Sequence, residues 1–484
     1  MNNVFNRSKI ISSLIWKLTE RTGTQGMQFV IQLILARLLL PEDYGIIALI
    51  VIFISIATVF VQSGFNTALI QKKNADDTDF SSVLYLSLIV SSLIYTVLFI
   101  SAPHIAEFYQ EPKLIKVIRV LGVVLFFGAI NSIQYAIISR TMQFKRLFFS
   151  SLGGVVISGV VGIILAYNGF GVWSLVGQQI INEFLIAVIL WGTVKWRPQS
   201  VFSVTRVKIL FSFGWKLLCS ALIDTLYTNV YGLVIGKIYN AQMLGYYNRG
   251  QQFPNFIVSN INGSIQSVLL PTLSAHQDDK LKVKSMVRRS IITSAFFVFP
   301  MMIGLAVCAE PLVKILLTEK WLKAVPFLQI LCISYAFWPI HTANLQAINA
   351  LGRSDLYLKL EIIKKINGVL LLCISIPYGI YVMVAFHPIA SLISSFINMY
   401  PNKKILNYSI SEQWMDLAPS ITLSIIMGAS IYFIPLLGLG NWMTLILQIF
   451  IGTSVYFGLA YILRIETFTY IIDLIETVFK RNPM

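Results

Sequence analysis

Charged side chains are scarce in this sequence. Asp, Glu, Lys and Arg make up 12% of its 484 residues, whereas about 25% is typical of soluble domains. Hydrophobic residues account for 56%, and the mean hydropathy is +0.75. Such a composition excludes a soluble globular protein, because most of its surface must face an apolar solvent. We therefore predict a protein embedded in a lipid bilayer.

Residues suited to catalysis or metal binding are also few. The four histidines and four cysteines are scattered and lack metal-ligand or C-x-x-C spacing: His104, His276, His341, His387, Cys219, Cys308, Cys332 and Cys373. We expect free, buried thiols and no metal or cofactor. No phosphate-binding loop or nucleophile elbow occurs, so ATP hydrolysis and hydrolytic catalysis are not expected. The energy to move any substrate across the bilayer must then come from an ion gradient, the membrane potential or removal of the product.

The net charge of +16 does not indicate a nucleic-acid partner here. Lysine and arginine concentrate in alternate short connections between long apolar runs, as at 72–73, 140–146, 280–289 and 403–404. This asymmetry is typical of a bacterial inner-membrane protein, whose cytoplasmic loops are positively charged. It predicts that both termini are cytoplasmic and that the number of spans is even.

Fourteen apolar runs are long enough to cross a bilayer as helices. They lie near residues 10–40, 44–71, 81–104, 114–138, 148–167, 170–194, 209–236, 249–273, 290–315, 325–351, 356–378, 381–401, 417–437 and 441–463. The first run contains Lys17, Glu20 and Arg21, which a cleavable signal peptide would not carry. We predict an all-α membrane protein of about 14 transmembrane helices.

Two parts of the chain resemble each other. The triplet W-K-L at 16–18 recurs at 215–217, and Arg37 and Lys237 lie 200 positions apart. A repeat of six helices is a transporter architecture. We predict an N-lobe at 1–200, a C-lobe at 201–404, two helices within 405–464 and an amphipathic cytoplasmic tail at 465–484. The segment 465–480 also fits a short solvated helix.

Four segments carry a family resemblance, together with L-G-R-S-D at 351–355. They are L-A-R-L-L-L-P-E-D-Y-G-I-I-A (35–48), S-R-T-M-Q-F-K-R-L (139–147), M-L-G-Y-Y-N-R-G-Q-Q-F-P (243–254) and L-L-T-E-K-W-L-K-A-V-P-F-L-Q-I-L (316–331). In this order they resemble the Wzx-type polysaccharide flippases, close to the WzxC-like branch, in the multidrug/oligosaccharidyl-lipid/polysaccharide exporter superfamily.

The resemblance implies two six-helix lobes in a V around a central cavity, followed by two more helices. It implies alternating access and transport of oligosaccharides on undecaprenyl pyrophosphate, for exopolysaccharide, O-antigen or capsule assembly. Partners would include membrane lipids and the polymerase and chain-length proteins of the pathway.

Some motif residues also have structural interpretations. We expect Pro41 to end the first helix and Gly45 to allow a tight turn. We expect Tyr246, Tyr247 and Trp321 to form part of an interfacial aromatic belt.

Polar residues inside the predicted spans give the candidate site, because ionisable groups at membrane depth usually face a cavity. On the first span Lys17, Glu20, Arg21, Thr24 and Gln28 share one helix face. Other spans carry Asn66, Gln134, Glu183, Lys216 and Asp224. We expect Lys17, Arg21 and Lys216 to attract a pyrophosphate, and Thr24, Gln28, Asn66 and Gln134 to bind sugar. Glu20, Asp224 and Glu183 would position cations or bind a coupling ion.

Other interpretations stay open. The same charges could form interhelical salt bridges, and Glu361 could pair with Lys365 one turn away on its own helix. A cation-coupled drug antiporter of the same superfamily is an alternative, although an anionic substrate suits a net-basic set of charges better. A membrane polysaccharide polymerase is disfavoured, because no loop exceeds about 20 residues and catalysis of that kind usually needs a larger one.

Overall fold

A computed structural model describes residues 7–62, 64–470 and 472–473, and in these ranges the chain is almost entirely helical, with no β-strand. The helices are α1 (Arg7–Leu38), α2 (Pro41–Gln62), α3 (Phe65–Gln71), α4 (Asp77–Tyr109), α5 (Lys113–Leu121), α6 (Val124–Thr141), α7 (Phe144–Tyr167), α8 (Val172–Thr193), α9 (Val204–Ile238), α10 (Ala241–Ser274), α11 (Lys280–Val307), α12 (Ala309–Leu316), α13 (Val325–Ala336), α14 (Trp338–Ala350), α15 (Ser354–Ser375), α16 (Ile380–Ile405), α17 (Ile410–Tyr432) and α18 (Asn441–Ile462). Short 3₁₀ turns lie at Glu319–Ala324, Ile376–Tyr378 and Ile434–Leu437. The all-α prediction is confirmed.

Each predicted span falls on helix, but not all are apolar enough to count as membrane spans. Among the described residues, 11 helical stretches meet the length and hydropathy expected of a span. The predicted spans outside this set coincide with α1, α10 and α15, whose polar side chains lower their hydropathy. The predicted count of 14 is therefore not confirmed.

Contacts divide the chain into two compact units, the first ending at Gly245 and the second beginning at Tyr246. In the first, α7 packs between α1 and α8, and α2 packs against α9, α6 and α4. In the second, α11 packs against α17, α13 and α14, and α16 packs against α13, α14 and α15. The predicted lobe boundaries rest on repeated sequence, which these contacts do not test, so they stay a prediction.

The Pro41–Gly45 segment fits its predicted role only in part, since α1 ends at Leu38, just before Pro41, but Gly45 forms no turn. Pro41 is the first residue of α2, and Gly45 lies inside that helix rather than in a turn. A Cβ at Gly45 would lie 1.6 Å from the carbonyl oxygen of Ala241, and one at Gly245 would lie 2.0 Å from that of Pro41. These glycines, 200 positions apart, therefore let two helix starts meet backbone to backbone.

Two further expectations about side chains were wrong. Tyr246, Tyr247 and Trp321 are buried rather than placed in an interfacial belt, and the rings of Tyr246 and Trp321 pack edge to face with centroids 6.0 Å apart. All four cysteines are free, but Cys219 and Cys373 are exposed instead of buried.

An ion cluster fixes the start of α4. The Asp79 carboxylate is inaccessible to solvent and accepts from Lys72 Nζ at 2.7 Å, with Arg206 Nη1 3.4 Å away. Asp76 and Asp79 also form a reciprocal capping box at the helix N-terminus, which satisfies free amide groups there. The cluster thereby ties the loop before α4 to the start of α9.

The predicted tail at 465–480 falls partly outside the described residues. Residues 466–470 are helical. Arg288 on α11 binds the Asp416 carboxylate of α17 and donates to Glu466 Oε1 and Oε2 at 3.2 and 3.0 Å. The Phe468 ring packs near Phe296, with centroids 6.3 Å apart. The start of the tail is thus held by both charge and apolar contacts, while its place on a membrane surface stays a prediction.

Candidate functional site

The polar stripe of α1 is positioned by aromatic packing against α7. The Trp16 ring contacts those of Phe148 and Phe149, with centroids 5.6 and 6.0 Å apart. Ser13 Oγ donates to the carbonyl oxygen of Met142 at 3.0 Å. These contacts fix the rotation of α1, so the direction of its polar face is set by large side chains outside the polar stripe.

The charged members of this stripe lie close to one another. The half-buried Glu20 carboxylate interacts with the Ser151 hydroxyl and with the charges of Lys17 and Arg21. Lys17 is exposed, and its Nζ lies 4.8 Å from the centroid of the Phe144 ring, a cation–π contact. The exposed Arg21 lies one turn further along α1. Lys17 thus keeps its charge accessible to an anion.

A second polar group links α6 to α8. Asn131 Nδ2 donates to Glu183 Oε2 at 3.0 Å and to the Glu183 carbonyl oxygen at 3.2 Å. Tyr135, one turn along α6, is within electrostatic range of both Glu183 and Glu20. Helix packing therefore brings the two predicted carboxylates, 163 positions apart in sequence, into one polar region of the first unit.

Several buried polar atoms in this region have no hydrogen-bond partner in the structure. They are Thr24 Oγ1, Gln25 Oε1, Asn131 Oδ1, Asn182 Oδ1 and both amide atoms of Gln134. Buried polar groups in folded proteins are nearly always hydrogen-bonded. Unpaired oxygen atoms on helices that also carry the two carboxylates have the chemistry to accept hydrogen bonds from sugar hydroxyl groups or to coordinate a hard cation. We name this set, with Glu20 and Glu183, the α1–α6–α8 polar region.

The remaining predicted site residues occupy other places. Lys216 and Asp224 are exposed on α9, which packs against α2, α3 and α4. Asn66 lies on α3 with Oδ1 buried and unpaired, and Gln28 is exposed near the middle of α1. The structure therefore connects Glu20 and Glu183 through Tyr135, whereas Lys216 and Asp224 lie on α9 and Asn66 lies on α3.

Glu361 of α15 has a basic partner at a spacing other than the one expected from the sequence. Its Oε1 accepts from Lys364 Nζ, three residues along the helix, while the expected partner, Lys365, lies four residues along. Both spacings place side chains on one helix face. The side chain of Lys364 is largely buried, with 13% of its surface exposed, and Lys364 acts electrostatically on His341 of α14.

Sequence reasoning missed a histidine network in the second unit. His341 Nδ1 lies 3.1 Å from Asn398 Nδ2, and its Nε2 lies 3.3 Å from Ser391 Oγ. His387 Nδ1 lies 3.0 Å from Ser334 Oγ. The sequence did carry a signal: polar residues recur on α16 at helical spacing, at 387, 391, 395, 398 and 402. Treating the histidines as scattered overlooked this stripe.

Comparison with known proteins gives a family. The sequence model of the family described as "Polysaccharide biosynthesis protein" matches residues 34–326, more than half of the chain. The succinoglycan biosynthesis transport protein ExoT of Rhizobium meliloti is 24% identical over 69% of this chain and 68% of its own length. The teichuronic acid biosynthesis protein TuaB of Bacillus subtilis is 26% identical over 74% and 72%. The lipopolysaccharide biosynthesis protein WzxC of Escherichia coli is 23% identical over 74% and 73%.

Solved structures give the same fold. An inward closed conformation of the lipid II flippase MurJ has a TM-score of 0.75, 16% identity, and coverage of 93% of this chain and 98% of its own. An inward-facing multidrug resistance MATE family transporter of the MOP superfamily has a TM-score of 0.61 and 16% identity, with 79% and 94% covered. The chain is a multi-pass membrane protein with this transporter fold, and the resemblance drawn from its four motifs is confirmed.

Proposed function

Because this chain belongs to the polysaccharide biosynthesis protein family, we propose that it is a flippase for lipid-linked oligosaccharides. Related proteins are named for transport or for the biosynthesis of succinoglycan, teichuronic acid and lipopolysaccharide. The observation that carries the proposal is the fold match to a lipid II flippase along 93% of the chain, since it joins that family to a fold that transports a lipid-linked sugar.

The substrate we propose is an oligosaccharide repeat unit on undecaprenyl pyrophosphate. A diphosphate needs cations, and Lys17 and Lys216 are both exposed, while Arg21 offers the planar guanidinium group suited to phosphate oxygens. Sugars need many hydrogen-bonding partners, which Thr24 and Gln134 would supply from the α1–α6–α8 polar region. Gln28 and Asn66 are proposed to extend this polar lining.

Ion coupling is proposed for Glu20, Glu183 and Asp224. Glu183 is held by an amide group through Asn131 rather than by a basic side chain. A carboxylate held in this way keeps an oxygen atom that can take a proton or a sodium ion. Asp224 is exposed on α9 and would serve a second position along the path.

We further propose transport without catalysis, from the cytoplasmic to the periplasmic leaflet of the bacterial inner membrane, by alternating access. The distribution of loop cations supports cytoplasmic termini. The polymerase and chain-length proteins of the same pathway would receive the product. Removal of the translocated lipid by these proteins would favour the outward direction.

The experiment is complementation of a strain that lacks this gene, with surface polysaccharide measured at equal protein abundance in the membrane. Lys17→Ala and Arg21→Ala should each lower output, and lipid-linked repeat units should accumulate in the cytoplasmic leaflet. Lys73→Ala is the matched control, because it removes an exposed loop cation. Wild-type output from both α1 variants would remove these cations from the substrate path, and no accumulation in the deletion strain would refute the flippase function.

A further inference from the structure

A polar stripe runs along α16 and faces the other helices of the second unit. His387, Ser391, Ser395, Asn398 and Asn402 are spaced by three or four residues, which places them on one helix face. Ser395, Asn398 and Asn402 have almost no solvent-accessible surface. The packing of α16 against α13, α14 and α15 therefore buries a row of polar groups in an apolar bundle.

His341 of α14 bonds to this stripe through both ring nitrogens. An amide nitrogen can only donate, so the ring atom Nδ1 accepts from Asn398 Nδ2 at 3.1 Å. The proton of a neutral ring then sits on Nε2, which donates to Ser391 Oγ at 3.3 Å. The Ser391 hydroxyl in turn donates a hydrogen bond to the Ser334 carbonyl oxygen at 3.1 Å. The network thus defines one tautomer of a neutral imidazole.

The other amide atom of the same asparagine is unpaired. Asn398 Oδ1 is buried and has no hydrogen-bond partner in the structure. Rotation of the amide group by half a turn exchanges the positions of its oxygen and nitrogen. The rotated group fits the same space, because the two atoms are nearly identical in size. Asn398 would then accept a hydrogen bond from a protonated Nδ1. One side chain can therefore hold both the neutral and the charged form of His341.

The groups that face His341 define what protonation would change. Lys364 of α15 acts on it electrostatically and is paired with Glu361. His387 of α16 approaches through Ser334 of α13. The stretch of α11 from 290 to 307 carries no ionisable side chain. A second positive charge at His341 would repel Lys364, so proton binding on α14 would act on the position of α15.

We propose that His341 and Asn398 form a proton-binding switch that couples the flippase to a proton gradient. In the charging step, His341 Nδ1 binds a proton delivered through water and the Asn398 amide rotates to accept it; in the reverse step the proton is released and the amide returns. The inference rests on the proposed function for its role in transport. Proton binding itself does not depend on that role, so each part can fail separately.

Proton binding is tested on the full-length protein in lipid nanodiscs, with ¹⁵N-labelled histidine followed by NMR as the pH is lowered. We expect one imidazole, absent in His341→Gln, to change from the Nε2-protonated to the doubly protonated form. Asn398→Asp places only acceptor oxygens beside Nδ1 and should move this change to higher pH. His104→Gln, which removes an exposed histidine of α4, should leave it unchanged.

If the His341 imidazole stays neutral as the pH is lowered, in both the wild type and Asn398→Asp, the proposed switch is overturned, whatever the transport result. Thermal unfolding of each variant separates loss of fold from loss of protonation. If His341→Gln does not fold, Asn398→Asp alone decides the outcome, because it is isosteric with the native residue.

The transport role is tested by complementation at several external pH values, with a brief protonophore pulse. Wild-type output should fall on the pulse, and His341→Gln should lose both activity and pH dependence. Export by folded His341→Gln with the wild-type pH profile would overturn the coupling. Failure of the wild type to complement would instead refute the proposed function, and the NMR result would still decide on proton binding.

Discussion

A methyl group at Gly45 would collide with the main chain at the start of α10. The added Cβ would lie 1.6 Å from the carbonyl oxygen of Ala241 and 2.3 Å from its carbonyl carbon, whereas ordinary contacts begin at 3.4 Å. The obstacle is backbone, so no side-chain rotation relieves it. The two helix starts would have to separate by about 2 Å.

The expected cost follows from two opposing terms. Alanine in place of glycine within a helix gains about 1 kcal/mol. Overpacking of a close contact costs about 1–3 kcal/mol and sometimes more, and the upper part of this range applies where both sides are main chain. We predict that Gly45→Ala lowers the free energy of unfolding by about 2 kcal/mol or more. Gly245→Ala should behave alike, because its Cβ would lie 2.0 Å from the Pro41 oxygen.

The assay is thermal unfolding of purified protein in detergent, monitored by tryptophan fluorescence. Gly128→Ala is the matched control, since a Cβ on this α6 glycine meets nothing within 4 Å and should be neutral or stabilising. The double variant of Gly45 and Gly245 should lose less than the sum of the single changes, because either methyl group separates the same two segments. A Gly45→Ala protein as stable as the wild type would refute the reasoning.

Three further predictions concern buried charge, pH and the polar region. Asp79→Asn should destabilise the protein by about 3 kcal/mol, because it removes the carboxylate that pairs with Lys72 and Arg206. Glu42→Gln, at an exposed ion pair, should cost under about 1 kcal/mol. Denaturation curves of the two variants measure both free energies of unfolding. Hydrogen bonds from Arg288 lower the pKa of Glu466 below its usual 4.5. The contact between Arg288 and the tail is therefore stable above pH 4.5 and is lost as the pH falls through the lowered pKa, where proteolysis of the tail should increase. Arg288→Ala should show this increased proteolysis already at neutral pH. Gln134→Leu removes a fully buried amide group with two unpaired atoms, so the protein should fold normally but lose polysaccharide export; unchanged export at equal abundance would argue against a substrate role for this side chain.

The polar stripe of α1 shows what helical spacing can and cannot predict. Its members share a face because the helix repeats every 3.6 residues, and the sequence alone gives that face. The neighbouring helix does not follow from spacing. The contacts of Glu20 with Ser151 of α7, and its nearness to Tyr135 of α6, come from packing of Trp16 and other large side chains.

The second unit shows the same limit more sharply. Spacing suggested Lys365 as the partner of Glu361, and only the structure shows Lys364 bound to this carboxylate. The histidines looked scattered because His341 and His387 are 46 positions apart. They belong to one network only because α13, α14 and α16 pack together.

By itself the sequence determined the solvent, the fold class and the family. Its shortage of charge requires a lipid environment, where unpaired backbone groups are so costly that spans must be helical, and its motifs in order gave the family resemblance. Tertiary structure alone decided which polar faces meet, where glycine is obligatory and which buried atoms stay unpaired. Those properties depend on contacts between helices distant in sequence, and no local pattern encodes such distances.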